Sequence, residues 1–430
     1  MKKYTNIDGP VFIDLFAGCG GLSLGLEQAG FTPLFVNELN HDAMETYLMN
    51  RREELPWLDE NCEYDIKKLV NTKDYLDQIR SQLLEQFELG DIDLVVGGPP
   101  CQGYSGIGHR RSYTVDKEQL PSNTLYQDMV HVVHKIRPKI FLFENVRGLL
   151  SARWTKQGEK GEIWRDVKGT FEAALPDYYI RPELVYAKNY GVPQNRPRVL
   201  MVGVRKDLEF EPSENGVAGG FLPDPVGGYP HIKDLFGDLV DMPYPPGGET
   251  DTYPRLPKKG TIQEYFRKDR HTGKLPTKCG ELTEQEYSKH SAKIVEKFAH
   301  MLRYNGEIPP EMQTKKFAQR ILPATWKENG PTITATSLPD DYVHYAEPRS
   351  LTVREWARLQ MFPDWYQFHG KRTTGGLRRA GNPQEGLHER EVPKYTQIGN
   401  AVPVKLAYEV GVHFKDMILG ISDQGKQNYG

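Results

Sequence analysis

The sequence has no surplus of basic residues. Against 55 Lys and Arg stand 58 Asp and Glu, leaving a net charge of −3 over 430 residues. A basic domain is the usual electrostatic footprint of a nucleic-acid binder, so any phosphate contacts must come from local patches on a mildly acidic body. Cysteine is scarce: Cys19, Cys62, Cys101 and Cys279 are the only four, far apart and without a CxxC pair. That argues against a disulfide framework and against a zinc site, and no metal is expected. No apolar run approaches the roughly 18 residues of a membrane helix, and the start lacks the long apolar segment of a secretory signal. The expectation is a cytoplasmic protein with no membrane attachment. Internal repeats are absent as well. What remains is an ordinary globular composition, 38% hydrophobic and 26% charged, long enough for one large domain and a smaller one.

The first 204 residues alternate short apolar runs with amphipathic stretches. Val11–Leu15, Leu34–Val36, Leu94–Val96, Ile140–Phe143 and Val199–Val204 read as strands. Helices are predicted over Gly21–Ala29 (Gly30 as the stop), His41–Met49, about Met129–Ile136 and Trp164–Ala174. Strands alternating with helices predict an α/β fold with a parallel sheet covered on both faces. Beyond Arg205 the chain turns rich in Pro and Gly. A charged helical stretch follows near Glu284–Arg303, and β-branched Thr332–Thr336 reads as a strand. A helical pattern returns from Leu351, and a last helix is expected at about Val404–Met417. The expected division is 1–205, a smaller irregular domain at 206–345, and a segment 346–430 returning to the first domain.

Five stretches carry chemistry. Asp14-Leu15-Phe16-Ala17-Gly18-Cys19-Gly20-Gly21 ends a strand, turns on glycines and opens a helix, which lets backbone approach a ligand. It lacks the third glycine of the dinucleotide fingerprint. Glu38, eighteen residues after Gly20, is placed to accept two ribose hydroxyls. Together these suit a nucleoside without a pyrophosphate, S-adenosylmethionine first; a turn that merely packs is the plainer alternative. Gly97-Gly98-Pro99-Pro100-Cys101-Gln102 halts a buried strand and presents a thiol where open α/β sheets bind ligands, although free cysteines are commonly buried. After it, Gly106-Ile107-Gly108-His109-Arg110-Arg111 reads either as a loop that closes over a polyanion or as a solvated turn. Glu144 emerges at the end of the Ile140–Phe143 strand on the same rim as Cys101, where an apolar strand end favours a raised pKa and an acid role; an ordinary ion-pair carboxylate is the alternative. In Gln194-Asn195-Arg196-Pro197-Arg198 two arginines in alternate positions are expected to point to one side, suited to a phosphate or a base carbonyl. Tyr395–Pro403 is a polar turn before the last helix, with nothing local that marks it as functional.

In this order the stretches resemble the cytosine-5 DNA methyltransferases, together with Arg349–Glu355 through Phe362-Pro363 and Gln397-Ile398-Gly399-Asn400-Ala401-Val402. The match spans nearly the whole chain and is weak only over 206–345, the variable target-recognition domain of that family. The resemblance implies a Rossmann-like, S-adenosylmethionine-dependent domain, with S-adenosylhomocysteine as product. It implies methylation at C5 of a cytosine flipped out of a specific duplex sequence, through a covalent bond from Cys101 to C6. Glu144 would act at N3, Arg198 at O2, and Arg196 would support the site or a phosphate. Phe16, Gly18, Gly20, Gly21, Leu22, Asp14, Glu38, Asp65, Ile66, Pro99, Asn400 and Val402 would bind the cofactor, the last two bringing the chain's end against its beginning. Gln102, Ser105, Arg110 and Arg111 would meet DNA.

A basic insert between Pro363 and Tyr395, containing Arg378 and Arg379, is longer than the family's minimal pattern; it is expected to touch the DNA backbone unless it is a plain surface loop. The expected partner is double-stranded DNA, in a monomeric bacterial or phage enzyme of restriction–modification type, with a separately acting endonuclease. A tRNA cytosine-5 methyltransferase is the main alternative, although the roughly 140-residue middle domain favours a DNA reader. A non-catalytic relative would not need Cys101, Glu144 and Arg198, and an enzyme of small molecules would not need the middle domain.

Overall fold

The computed structural model describes residues 3–4, 7–100, 121–208, 215–313, 320–322, 331–334, 341–374 and 391–427, the side chains of 121 and 421–427 excepted. Strands β1 (Val11–Leu15), β2 (Thr32–Asn37), β3 (Cys62–Glu63), β4 (Leu94–Gly97), β5 (Ile140–Val146), β6 (Tyr178–Tyr186) and β7 (Pro197–Arg205) form one sheet. Its order is β3-β2-β1-β4-β5-β7-β6. Helices α1 (Gly21–Gln28), α2 (His41–Met49), α3 (Ile66–Asn71), α4 (Tyr75–Gln86), α5 (Leu125–Ile136) and α6 (Glu162–Ala174) connect the strands. The chain leaves β1 toward β3, then crosses back to β4 and β5, so the strand order reverses beside β1. That is where open α/β sheets leave a crevice at their carboxyl ends.

The sheet is buried on both faces because side chains alternate across it. Phe12, Leu94 and Val96 enter one core cluster, while Val11, Ile13, Leu15 and Val95 enter the other. The expectation of a parallel sheet holds for β3 through β5 and fails beyond. β7 runs antiparallel between β5 and β6. β6 itself escapes the sequence reading because Pro182 sits within it and its burial alternates with exposed Arg181 and Glu183. Proline is tolerated there because β6 is the edge of the sheet.

Beyond the sheet come α7 (Ile232–Phe236), α8 (Gln263–Arg267), α9 (Ala292–Arg303) and a small parallel pair, β8 (Arg320–Ile321) and β9 (Tyr342–Val343). The predicted strand at Thr332–Thr336 is not found in its described part. Thr332–Thr334 is irregular, and Ile333 gives its N–H to Gln194 Oε1 (3.0 Å) and its carbonyl to Arg196 Nη1 (2.5 Å) instead of to a neighbouring strand. The helix expected from Glu284 begins only at Ala292.

The chain ends with α10 (Val353–Leu359), α11 (Lys394–Asn400) and α12 (Val404–Gln427), the last ten residues longer than expected. α12 packs on α1 so closely that a Cβ on Gly25 would stand 2.7 Å from the backbone N of Tyr408. α10 opens with a capping box, Thr352 to Glu355 and back.

Asp238, Tyr253 and Arg267 are tied to the C-terminal segment by a buried charge cluster. Arg358 Nη1 lies 2.6 Å from Asp238 Oδ1, and its Nη2 and Nε reach Asp364. Arg267 also meets Asp238 at 3.1 Å, and the Tyr253 hydroxyl donates to Asp364 at 2.7 Å. The two aspartates hold Arg358 firmly protonated. Removing one member of such a cluster strands the others in low dielectric. Arg358→Met should therefore lower unfolding free energy by about 3–5 kcal/mol, read from urea denaturation.

Candidate functional site

The carboxyl ends of β1, β2, β4 and β5 form one rim. After β1 the backbone is left-handed at Phe16 (φ 56°), Gly18 (57°) and Gly20 (82°). Phe16 is the unusual one, since its side chain makes that conformation costly. Phe16, Ala17 and Gly18 remain partly exposed. Glu38 follows β2 directly. Its Oε2 accepts the Gly18 N–H (2.8 Å) and its Oε1 accepts the Asn40 N–H (2.8 Å). Burial pushes the Glu38 pKa up against the backbone N–H groups of Asn40, Gly18 and Leu39. A carboxylate offers about four acceptor positions, which leaves room for a ribose hydroxyl.

Four of the residues expected at the cofactor have surroundings of their own. Asp14 is fully buried behind the turn, where it accepts from Ser23 Oγ at 2.5 Å; Ser23 in turn meets the Tyr47 hydroxyl at 2.9 Å. Leu22 and Ile66 point into the two cores. Asp65 is exposed and caps α3 through the Lys67 N–H (2.9 Å). A strand's alternation buries Asp14, and a helix's first turn buries Leu22 and Ile66. The end of the chain does return to its beginning. A Cβ on Gly21 would stand 2.5 Å from the Val402 carbonyl, and Asn400 is exposed beside it in the chain.

On the other side of the crevice, Asn145 Nδ2 donates to the Pro99 carbonyl (3.0 Å), pinning the prolines to the end of β5. Glu144 Oε2 lies so near Gly98 that a Cβ there would be 2.8 Å from it. Val146 pairs with Arg198 and Glu144 with Leu200 in the antiparallel β5–β7 register. Glu144 and Arg198 are thus diagonal neighbours on one face. Arg198 Nε stands 2.6 Å from Glu144 Oε1, yet its N–H finds no aligned acceptor; the pair is held by charge. Burial pulls the Arg198 pKa down, and Glu144 offsets part of that pull.

The two arginines have different partners. Arg196 is wholly buried. Besides Ile333 it holds the carbonyls of Gly399 (2.9 Å), Asn400 (3.2 Å) and Ala401 (2.8 Å) at the end of α11. Its guanidinium is a tie between segments with no face toward a substrate or phosphate. Cys101, Gln102, Ser105, Arg110, Arg111, Arg378 and Arg379 lie outside the described residues.

Sequence reasoning missed Asn145, the exposed Leu39 next to Glu38 (71% exposed), and the buried pair Arg51 and Tyr366. Only Leu39 left a signal, an apolar residue between two polar ones. Among the described residues, His344, Glu347 and Glu355 cluster at metal-ligand spacing, within 4.8 Å. The Arg349 guanidinium fills that cluster, 2.5 Å from Glu347 Oε2 and 2.6 Å from Glu355 Oε1.

Asp14 gives a pH dependence. Burial raises its pKa from 3.8 to about 7, with Ser23 and Arg51 opposing and Glu38 reinforcing. Between those values the folded protein holds this proton more tightly than the unfolded chain. Its contribution to stability therefore falls as pH rises through the window and is constant above it. Asp14→Asn, which cannot ionise, should gain melting temperature relative to the parent as pH rises from about 4 to about 7 and keep that gain above, as read by scanning calorimetry.

Residues 11–416 match the family described as C-5 cytosine-specific DNA methylase. The chain is 30% identical over 411 residues to the Type II methyltransferase M.DdeI of Desulfomicrobium norvegicum, covering 92% of this chain and 86% of that protein. It is also 30% identical over 413 residues to M.XorII of Xanthomonas oryzae, covering 94% and 84%. Among solved structures, a DNA modification methyltransferase encoded within an Escherichia coli prophage, so described only as putative, superimposes with a TM-score of 0.66 at 24% identity, covering 95% of this chain and 99% of that one. The fold is thus shared, and membership of the family makes S-adenosylmethionine the methyl donor. The chain belongs to the C-5 cytosine-specific DNA methylases and is a DNA cytosine-5 methyltransferase.

Proposed function

We propose that this enzyme methylates a cytosine turned out of duplex DNA, with Cys101 as nucleophile and Glu144 and Arg198 on the base. The observation that carries the reading is the Glu144–Arg198 contact of 2.6 Å beside Gly98, where the Pro99-Pro100-Cys101 segment begins. A carboxyl group able to pass a proton to N3 and a guanidinium able to donate to O2, side by side on a rim that leads into a thiol, suit that edge of a cytosine, where both atoms accept.

Cytosine C5 is a poor nucleophile because the ring is aromatic. Bond formation from the Cys101 thiolate to C6 breaks that aromaticity and moves an electron pair toward C5. Glu144, carrying a proton, passes it to N3 as that electron pair moves and takes it back when the C6–S bond breaks, while Arg198 donates to O2. Such acid–base help is worth roughly 10²–10⁴-fold. S-adenosylmethionine, when bound, supplies an electrophilic methyl group at its sulfonium. After C5 has gained the methyl, its proton leaves to solvent, the C6–S bond breaks, and Cys101 is restored as thiolate. Glu38, Phe16 and the Gly18–Gly20 turn would hold the cofactor, with Asn400 and Val402 closing from the opposite side. Flipping the base costs a few kcal/mol. Contacts to phosphate from Gln102, Ser105, Arg110, Arg111, Arg378 and Arg379, and from the recognition domain proposed at 206–345, would offset it, between a catalytic body of 1–205 and a returning segment of 346–430. We further read the protein as the modification partner of a separate endonuclease, a monomer acting on DNA in the bacterial cytoplasm; no helix among the described residues is long and apolar enough to cross a membrane.

Incubation with a duplex carrying 5-fluorocytosine at the target should trap a covalent adduct on Cys101, because fluorine cannot leave as the proton does. Cys101→Ala should abolish tritium transfer to duplex DNA while S-adenosylhomocysteine still binds; turnover without the thiol, or transfer to tRNA in place of DNA, would overturn the reading. Replacing Arg378 and Arg379 by Ala should flatten the salt dependence of DNA binding, by about one per lost phosphate contact in the log–log slope.

A further inference from the structure

The glycine turn is gripped from behind by two side chains with no part in the chemistry above. Arg51, just past α2, is fully buried. Its Nη1 donates to the Tyr47 carbonyl (2.8 Å) and the Tyr366 hydroxyl (3.0 Å). Its Nη2 reaches the Gly20 carbonyl (3.4 Å) and, with Nε, the Glu27 carboxylate on α1 (2.6 and 2.9 Å). The Tyr366 hydroxyl donates to the Cys19 carbonyl at 2.6 Å. Two consecutive carbonyls of the turn are therefore held by one tyrosine and one arginine. Position 20 accommodates only glycine: a Cβ there would lie 2.8 Å from the Tyr366 oxygen, 2.9 Å from the Tyr47 ring and 3.0 Å from Arg51 Nη1.

Tyr366 is itself delivered by the C-terminal segment, laid along α2. Asn50 exchanges two hydrogen bonds with the Gln367 backbone (2.8 and 3.0 Å), and Thr46 Oγ1 accepts the His369 N–H (2.8 Å). Asp364, two residues earlier, is locked by Arg358.

We propose that Tyr366 and Arg51 are positioning residues for the cofactor, holding the turn in the conformation in which the Gly18 N–H meets Glu38. This rests on the reading that the turn binds S-adenosylmethionine. Losing the tyrosine hydroxyl leaves the Cys19 carbonyl without its donor, so the turn relaxes and the pre-formed site is lost. The penalty then falls on ligand affinity, whereas a pure packing role would fall on stability alone.

The test is calorimetric titration of the full chain with S-adenosylhomocysteine. Tyr366→Phe should raise its Kd by about five- to ten-fold and should raise KM for the donor more than it lowers kcat. An unchanged Kd in folded Tyr366→Phe overturns the proposal. If that variant does not fold, Glu27→Gln, at the partly exposed end of the network, gives the same reading: a raised Kd supports the proposal and an unchanged one overturns it. Glu38→Gln separates the two layers. If it leaves S-adenosylhomocysteine binding intact, the cofactor assignment of the turn has failed, whatever Tyr366→Phe does.

Discussion

The arrangement depends on one buried charge, the Arg196 guanidinium. It has no carboxylate in hydrogen-bond contact and is instead solvated by four carbonyls, one from Ile333 and three from the end of α11. Burial and the nearby Arg198 charge pull its pKa well down, so this site tolerates the cation only because the carbonyl dipoles are aimed at it. Helix carboxyl ends favour a positive charge for the same reason. The consequence is long-range: a residue preceding β7 fixes a segment two hundred residues later, and that segment places Ala401 and Val402 against Gly21. Gln194 reinforces the joint from two positions away, donating to the Leu359 carbonyl (2.5 Å) and accepting from Ile333.

The sequence reading located the glycine turn, Glu38, Glu144 and the return of the chain's end, because each sits at a strand terminus or a helix start that leaves a local pattern. It read five of the sheet's seven main strands and went wrong where locality fails. β3 is two residues long, and β6 carries a proline at an edge. Thr332–Thr334 has strand propensity, yet its hydrogen bonds go to Gln194 and Arg196, partners no window of sequence contains. Arg51 and Tyr366 were invisible because they lie 315 residues apart.

Net charge was a weak guide for a related reason. Among the described residues, Arg51, Arg196, Arg349, Arg354 and Arg358 are five of the twelve largest fully buried side chains. They organise aspartates, glutamates and backbone carbonyls inside the protein and are not free to meet a polyanion. The count of basic residues therefore overstates what the surface has for phosphates, and affinity for DNA must be concentrated in few places.

The diagonal contact between Glu144 and Arg198 has a numerical corollary. Successive side chains on a strand project to opposite faces. Inserting a single residue ahead of either partner within its strand would turn that partner to the far side of the sheet, and the two would part even though every ladder bond could re-form. Inserting two would restore the facing but slide the partners apart by about 7 Å. The stretch joining the two strands obeys no such arithmetic. What this half of the crevice encodes is thus an even–odd count along two ribbons, as much as the identity of an acid and a base.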